Sequence, residues 1–174
     1  MTDMGDLVSR ELQWVQPSAK KQIYELMAGD LAVCKVHLNS SFNSRATAVN
    51  DEGSWDFDRK GFWQRHVTIR KTGSAEDLAV YNANTWKGGG TLTMPFGRTY
   101  LFKFNFWNTQ FFVTTENDQA LISITKIRGF IHYSGNLEIH SLARHLPELP
   151  WLVPLSWYLI MMQQRDTAAA AAAT

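Results

Sequence analysis

Apolar and polar residues alternate with a period of two through most of the chain between residues 11 and 139. In the clearest run, residues 98–105, the side chains of Tyr100, Phe102 and Phe104 fall on one face and Lys103 falls on the other. Successive side chains of a β-strand point to opposite faces, so each such run predicts a strand with one face in a core. The predicted strands are residues 11–15, 22–27, 31–37, 45–49, 54–58, 65–71, 78–83, 91–94, 98–105, 109–115, 120–127 and 131–139.

Turn-forming residues separate these runs at short intervals, as at Gly29-Asp30, Asn50-Asp51-Glu52-Gly53 and Gly73-Ser74. About twelve strands joined by such short turns predict an all-β, antiparallel sheet. An open sheet of that size would leave two unpaired edges, so we expect it to close into a barrel. A barrel of about twelve strands is too wide for strand side chains alone to fill, and another element must occupy its interior.

The segment of residues 151–162, WLVPLSWYLIMM, carries no charged side chain and is apolar on every side. As a helix it would rise about 18 Å, which is short of the roughly 30 Å hydrocarbon core of a bilayer. We therefore predict one buried C-terminal helix at about residues 150–165 that fills the barrel, with a membrane tail anchor as the alternative. The hydroxyl of Ser156 should bond to a backbone carbonyl one turn back.

These patterns divide the chain into one domain and two flanking segments. Residues 1–9 are an N-terminal extension, and residues 10–166 form the barrel domain with its helix. Residues 167–174 include six consecutive alanines and form a low-complexity tail. Because 45% of the residues are apolar and only 19% are charged, the domain can bury one sizeable core.

Net charge and cysteine content restrict the classes of partner. The formal charge is +1, so the chain as a whole does not attract anions, and nucleic-acid binding is not expected. One cysteine, Cys34, excludes an internal disulfide framework and a multi-thiolate metal site. Residues 1–10 lack the basic start and apolar run of a secretory signal. We expect a cytoplasmic protein, either free or peripheral to a membrane.

The order of several short motifs resembles that of a known family. Early in the chain stand Tyr24-Glu25-Leu26 and Gly29-Asp30, followed by Trp55-x-Phe57, Gly61-Phe62, Gly97-x-x-Tyr100 and Trp157-Tyr158-Leu159. Across about residues 10–166 this order is similar to that of the tubby C-terminal-like superfamily, which includes the tubby domain, phospholipid scramblases and plant LURP-one-related proteins. The resemblance implies a twelve-stranded barrel around a buried C-terminal helix. It carries over no binding residues, because neither a phosphoinositide-binding motif nor the acidic calcium-binding segment of scramblases can be matched.

One short stretch combines basic and large aromatic side chains. Residues 59–66 read RKGFWQRH, and two more cations follow on the next predicted strand. Cations there could contact phosphates while the aromatic side chains enter the headgroup region of a membrane. In the alternative, the aromatic side chains fold back into the core and the charges are only solvated. The candidate residues for lipid or partner binding are Arg59, Lys60, Phe62, Trp63, Arg65, His66, Arg70 and Lys71.

Two groups of possible metal ligands have simpler explanations. Asp56 and Asp58 leave the same face of one strand, but calcium requires six or more oxygens, and an acidic outer face paired with nearby cations accounts for both. His132 and His140 could share a metal only if the chain turned sharply at Gly135-Asn136. We therefore expect no metal site and no cofactor.

No hydrolase or phosphate-loop motif is present, and Cys34 lies in an apolar run typical of an inert core residue. The sequence favours a non-enzymatic binding or scaffold domain that recognises an anionic lipid headgroup or phosphoinositide through the basic-aromatic loop. Protein–protein assembly, including a homo-oligomer, is the first alternative. A small-ligand carrier or an enzyme with a site in the barrel interior is the second, with Tyr100, Phe102, Phe104 and Phe111 as lining residues.

Overall fold

The computed structural model describes residues 1–39, 44–61, 65–84 and 88–174. The described residues form twelve strands, each antiparallel to the strands that precede and follow it, and β1 pairs with β12 to close the barrel. The predicted closed antiparallel barrel is therefore confirmed. The strands are β1 (Leu12–Val15), β2 (Ile23–Ala28), β3 (Leu31–Leu38), β4 (Arg45–Asn50), β5 (Gly53–Lys60), β6 (His66–Lys71), β7 (Asp77–Ala83), β8 (Gly90–Thr93), β9 (Thr99–Phe104), β10 (Phe111–Thr115), β11 (Ala120–Arg128) and β12 (Ser134–Ile139).

A single α-helix, α1 (Leu149–Ala172), follows the last strand, and 3₁₀ turns lie at Met4–Leu7, Pro95–Gly97 and Ser141–Ala143. All side chains of residues 151–162 are buried. Trp157 stacks on Trp14 of β1 with ring centroids 5.4 Å apart, and Tyr158 packs against Phe57 of β5 at 5.4 Å. Because β1 and β5 lie on different sides of the barrel, these contacts place the helix in the interior, as predicted.

Backbone groups of α1 that the helix leaves unpaired find partners inside the barrel. Pro154 has no N–H, so the carbonyl of Pro150 one turn earlier lacks its helical donor. The side-chain amide of Asn50 donates to that carbonyl at 2.8 Å. The predicted bond of Ser156 is present, since its hydroxyl donates to the Leu152 carbonyl at 2.8 Å. These bonds let a proline-containing helix remain continuous in an apolar interior.

The helix is longer than the predicted 150–165, and it absorbs most of the segment expected to be a separate tail. Residues 167–172 continue α1 as exposed helical turns. Alanine has the highest helix propensity, so an alanine run extends a helix that the barrel has already nucleated. At the other terminus, residues 1–9 are more than an extension, because Met4 and Leu7 are buried in the core. A Cβ at Gly5 would lie 2.5 Å from the Arg144 carbonyl oxygen, which shows how closely this segment packs.

The up-and-down order divides the connections between the two ends of the barrel. The connections β1–β2, β3–β4, β5–β6, β7–β8, β9–β10 and β11–β12 lie at one end, where α1 leaves the barrel, and we call this the exit end. The remaining connections lie at the opposite end, where α1 enters, and we call this the entry end. Residues 1–9 cover the entry end: the backbone N–H of Met4 donates to the Glu52 carboxylate at 2.7 Å.

Candidate functional site: the exit end of the barrel

The predicted binding residues divide between the two ends of the barrel. Lys60 pairs with His66 across β5 and β6 at the exit end, and Arg65 directly precedes β6. Arg70 and Lys71 lie at the entry end of β6, and Arg70 forms an ion pair with Asp77 there. Four residues of a strand span about 13 Å, so these two cations do not share a surface with the exit-end group. The predicted aromatic pair, Phe62 and Trp63, lies outside the described residues.

Arg59 faces the barrel interior and not the outer surface. It alternates with the buried residues Trp55 and Phe57 on β5, so its side chain leaves the same face of the strand. The Arg59 guanidinium donates to both carboxylate oxygens of Asp166 on α1, at 2.9 and 3.1 Å. Arg65 donates to the same carboxylate. Two guanidinium groups therefore converge on one carboxylate where the helix emerges.

A cleft of about 390 Å³ opens at this point between α1 and the strands β5 to β9. Its apolar wall consists of Val67, Ala83, Phe104, Leu159 and Met162. Its polar side consists of Arg59, Arg65, Asn84, Gln163 and Asp166. Pockets that bind small molecules commonly enclose roughly 300–1,000 Å³ and combine an apolar lining with a few polar groups. The cleft has both properties.

Four large apolar side chains project from two neighbouring connections at the exit end. The β9–β10 connection exposes Phe106 by 88% and Trp107 by 77%, and the β11–β12 connection exposes Phe130 by 96% and Ile131 by 64%. We call these four side chains the apolar tips. The period-two pattern does not predict them, although two adjacent aromatic residues in an Asn-rich turn segment, Asn105 to Asn108, are a readable signal.

Hydrogen bonds of Asn105 fix the turn that presents the first aromatic pair. The Asn105 side-chain oxygen accepts from the backbone N–H groups of Thr109 and Gln110, at 2.8 and 2.9 Å. Phe106 and Trp107 pack edge to face with ring centroids 5.0 Å apart. The pair is thus held together on a bonded turn, which lowers the conformational entropy lost on contact with a partner.

The two ends of the barrel also differ in the charge of their connections. Among the described residues of the exit-end connections there is no Asp or Glu, whereas Lys20, Lys21 and Arg65 are present. The strand-to-strand connections at the entry end instead hold six carboxylates: Asp30, Asp51, Glu52, Glu76, Glu116 and Asp118. The small net charge of the chain therefore conceals a basic exit end and an acidic entry end.

The acidic pair on β5 has the ordinary surface role expected from the sequence. Asp56 accepts a hydrogen bond from the Thr47 hydroxyl at 2.8 Å. Asp58 lies 3.7 Å from Lys60 and 3.5 Å from Arg45. Within the part of the chain that the structure describes, no cluster of three or more His, Cys, Asp or Glu side chains could hold a metal ion.

The two histidines do not meet. The chain runs straight through Gly135 and Asn136 as part of β12, so the alternative of a sharp turn there is wrong. His132 Nδ1 lies 2.9 Å from the Gln16 carbonyl oxygen, and His140 Nε2 lies 2.7 Å from the Ser123 hydroxyl. The predicted strand 131–139 begins only at Ser134, because residues 129–133 form the connection from β11.

Two further groups singled out in the sequence belong to the core. Burial raises the pKa of the Cys34 thiol to about 12, so this side chain remains protonated and a poor nucleophile. The aromatic residues considered for an interior site pack on one another: Phe102 and Phe104 lie 5.8 and 4.7 Å from Phe111, measured between ring centroids. The Tyr100 hydroxyl donates a hydrogen bond to the Glu148 carboxylate.

Among the described residues, no helix has both the length and the apolar character needed to cross a membrane. Comparison with known proteins gives no match for this chain, whether to a protein-family model, to a curated protein or to a solved structure. The resemblance to the tubby C-terminal-like superfamily therefore stays a prediction.

Proposed function

We propose that this protein is a non-enzymatic binding domain that docks on anionic membrane surfaces through the exit end of its barrel. The observation that carries the proposal is the exposure of the four apolar tips, Phe106, Trp107, Phe130 and Ile131, at the end of the barrel whose described strand connections contain cations and no carboxylate. No activity on a substrate is part of this proposal.

The chemistry of the exit end suits the boundary between headgroups and acyl chains. Tryptophan and other aromatic side chains partition into that boundary, and each Lys or Arg near an anionic leaflet adds about 1 kcal/mol of attraction. Lys20 and Lys21 lie in the β1–β2 connection, next to the β11–β12 connection around the closed barrel. Carboxylates at this end would oppose such contact, and the described connections contain none.

A protein partner is the second candidate, because an exposed apolar patch also marks protein interfaces. The two candidates differ in their dependence on lipid charge. A membrane surface attracts the exit end only when it carries anionic lipid, and salt weakens that attraction. A protein interface formed by the apolar tips would be independent of lipid composition.

Vesicle co-sedimentation tests the proposal. The full chain is mixed with phosphatidylcholine vesicles with or without phosphatidylserine. We expect binding that increases with phosphatidylserine and falls by about tenfold or more in the double variant Phe106→Ser/Trp107→Ser, because two large apolar side chains leave the interface. The matched control is Phe96→Asn, which removes a fully exposed aromatic side chain at the entry end and suits its positive φ of 72°.

Charge reversal provides an independent arm of the same experiment. Lys20→Glu should weaken binding several-fold on phosphatidylserine vesicles, whereas Lys71→Glu at the entry end should leave it unchanged. Equal binding to neutral and anionic vesicles, or equal losses for the exit-end and entry-end variants, would overturn the membrane proposal. If light scattering shows an oligomer that the Phe106→Ser/Trp107→Ser variant dissociates, and vesicles do not bind, the protein-assembly alternative replaces it.

A further inference from the structure

The cleft beside α1 has a charge surplus that its own residues do not neutralise. Arg59 and Arg65 both contact Asp166, which is the one carboxylate among the described residues that line the cleft. Two guanidinium groups on one carboxylate leave a formal charge of +1. The Arg59 side chain is only 19% exposed, so its charge is screened less by water than that of a surface cation.

The opposite wall of the cleft is apolar. Leu159 and Met162 of α1 face the cleft together with Val67, Ala83 and Phe104 of the barrel. An inorganic anion would contact the guanidinium groups and leave this wall uncovered. A ligand that has both a negative head and an apolar body would cover both sides of the cleft.

Tyr81 adds a hydroxyl group to the lining of the cleft. It lines the cleft on β7, it is only 4% exposed, and its hydroxyl has no hydrogen-bond partner among the described residues. A tyrosine hydroxyl is protonated at neutral pH, and burial raises the pKa of Tyr81 further, so this hydroxyl is available as a donor. Because the Tyr81 side chain borders the cleft, its hydroxyl can donate to an acceptor on a ligand in place of water.

The Asp166 side chain indicates which head group fits. The Arg59 guanidinium already accommodates a carboxylate, with distances of 2.9 and 3.1 Å to the two oxygens. Asp166 is 28% exposed and lies on the last part of α1 before the helix becomes exposed, so a ligand that enters from solvent can reach the ion pair and compete with Asp166 for the arginines. A ligand carboxylate would then replace it on the same donors.

We propose that this cleft is a binding site for an amphiphilic carboxylate, such as a medium-chain fatty acid, whose head group takes the place of Asp166 on Arg59 and Arg65. The apolar body of the ligand lies along Leu159, Met162 and Phe104. Tyr81 supplies a donor at the side of the ligand. This site is separate from the apolar tips and does not depend on membrane docking.

Isothermal titration calorimetry with sodium decanoate, below its micelle concentration and without vesicles, tests the site. We expect saturable one-to-one binding to the full chain and much weaker binding of decanol, which lacks the charge. Arg59→Gln should weaken decanoate binding about tenfold or more, because a charged hydrogen bond is lost. Asp166→Asn should strengthen it, because the competing carboxylate is removed while the residue keeps its size.

Three further variants keep the result interpretable. Arg70→Gln removes a paired arginine at the entry end and should leave decanoate affinity unchanged. Ala83→Leu narrows the cleft and leaves all three charged groups of the ion pair in the sequence, so it should reduce binding even if Arg59→Gln proves poorly folded by circular dichroism. The Phe106→Ser/Trp107→Ser variant should keep decanoate binding, which separates failure of this site from failure of membrane docking.

Several results would overturn the inference. They are the absence of saturable decanoate binding, equal affinity of decanoate and decanol, and unchanged affinity in both Arg59→Gln and Ala83→Leu. Tighter binding of decyl phosphate than of decanoate would overturn the assignment to a carboxylate, and a decrease in affinity in Asp166→Asn would overturn the exchange of Asp166 for the ligand.

Discussion

The two ends of this barrel have the same kind of hairpin connections but opposite surfaces. At the entry end, polar groups bond to other parts of the chain: Asn50 to α1, Glu52 to residues near the N-terminus, and Glu148 to Arg98 and Tyr100. At the exit end, the apolar tips lie in solvent and an ion pair borders an open cleft. The polar groups of the entry end tie parts of the fold together, whereas the apolar tips of the exit end remain exposed to solvent. This contrast favours the exit end as the functional surface.

The largest expected effect on stability comes from the buried part of α1 near the entry end. Leu152→Ala should lower the free energy of unfolding by about 2–5 kcal/mol, because Leu152 is fully buried and its removal leaves a closed cavity. The matched change at the exit end, Met162→Ala, should cost less, about 1–2 kcal/mol, because Met162 already borders the cleft. Urea denaturation monitored by tryptophan fluorescence measures both. Equal losses would mean that the cleft is closed in solution.

A smaller difference is expected between two carboxylates that form ion pairs at the opposite ends of α1, Glu148 and Asp166. Glu148 is almost fully buried and accepts from Arg98 at 2.6 Å as well as from Tyr100. Glu148→Ala should destabilise the fold by about 1–3 kcal/mol, because the buried Tyr100 hydroxyl loses its acceptor. Asp166→Ala at the more exposed exit end should cost less than about 1 kcal/mol. A greater loss for Asp166→Ala in the same urea experiment would contradict the assignment of the structural role to the entry end.

The smallest expected effect is a pH dependence that arises at the entry end. Burial raises the pKa of Glu52 above its ordinary value, and the neighbouring carboxyls of Asp3, Asp6 and Asp51 raise it further. Glu52 therefore keeps its proton to a higher pH in the folded state than in the unfolded state. The contribution of this protonation to the free energy of unfolding is fully present below the unfolded-state pKa of Glu52, and it is lost as the pH rises through the folded-state pKa. Glu52→Gln, which keeps an acceptor for the Met4 N–H, should remove that loss.

Urea denaturation of the full chain between about pH 4 and pH 7 would measure the Glu52 contribution. Glu76→Gln, an exposed substitution in the β6–β7 connection, is the matched control and should leave the pH profile of the parent chain unchanged. A Glu52→Gln profile identical to that of the parent would show that Glu52 titrates alike in the folded and unfolded states.

The architecture was predictable because its signals are local. The period-two runs located all twelve strands, and the charge-free stretch at residues 151–162 identified the interior helix. The position of α1's end was not predictable in the same way, since alanines continue a helix only where packing has already formed one. The extension at residues 1–9 carries no periodic pattern, so its role in covering the entry end required the contacts of Met4 and Leu7.

The candidate site was only partly predictable. The stretch at residues 59–66 drew attention to the exit end, but Arg59 turned out to face the interior, where Asp166 lies more than a hundred positions away in sequence. Arg70 and Lys71 are close to this stretch along the chain and yet lie at the other end of the barrel. The apolar tips were missed as a surface because the two pairs, Phe106 with Trp107 and Phe130 with Ile131, lie far apart in sequence, and only barrel closure makes their connections neighbours.

The sequence by itself determined the kind of fold: alternation of side chains, turn residues and one apolar helix leave a closed barrel as the arrangement that pairs every strand edge. Only the tertiary structure decided which loops share an end, which charges converge on Asp166 and which aromatic side chains stay exposed. The physical reason is that strand formation depends on residues two apart in the chain, whereas a surface is assembled from connections that barrel closure brings together.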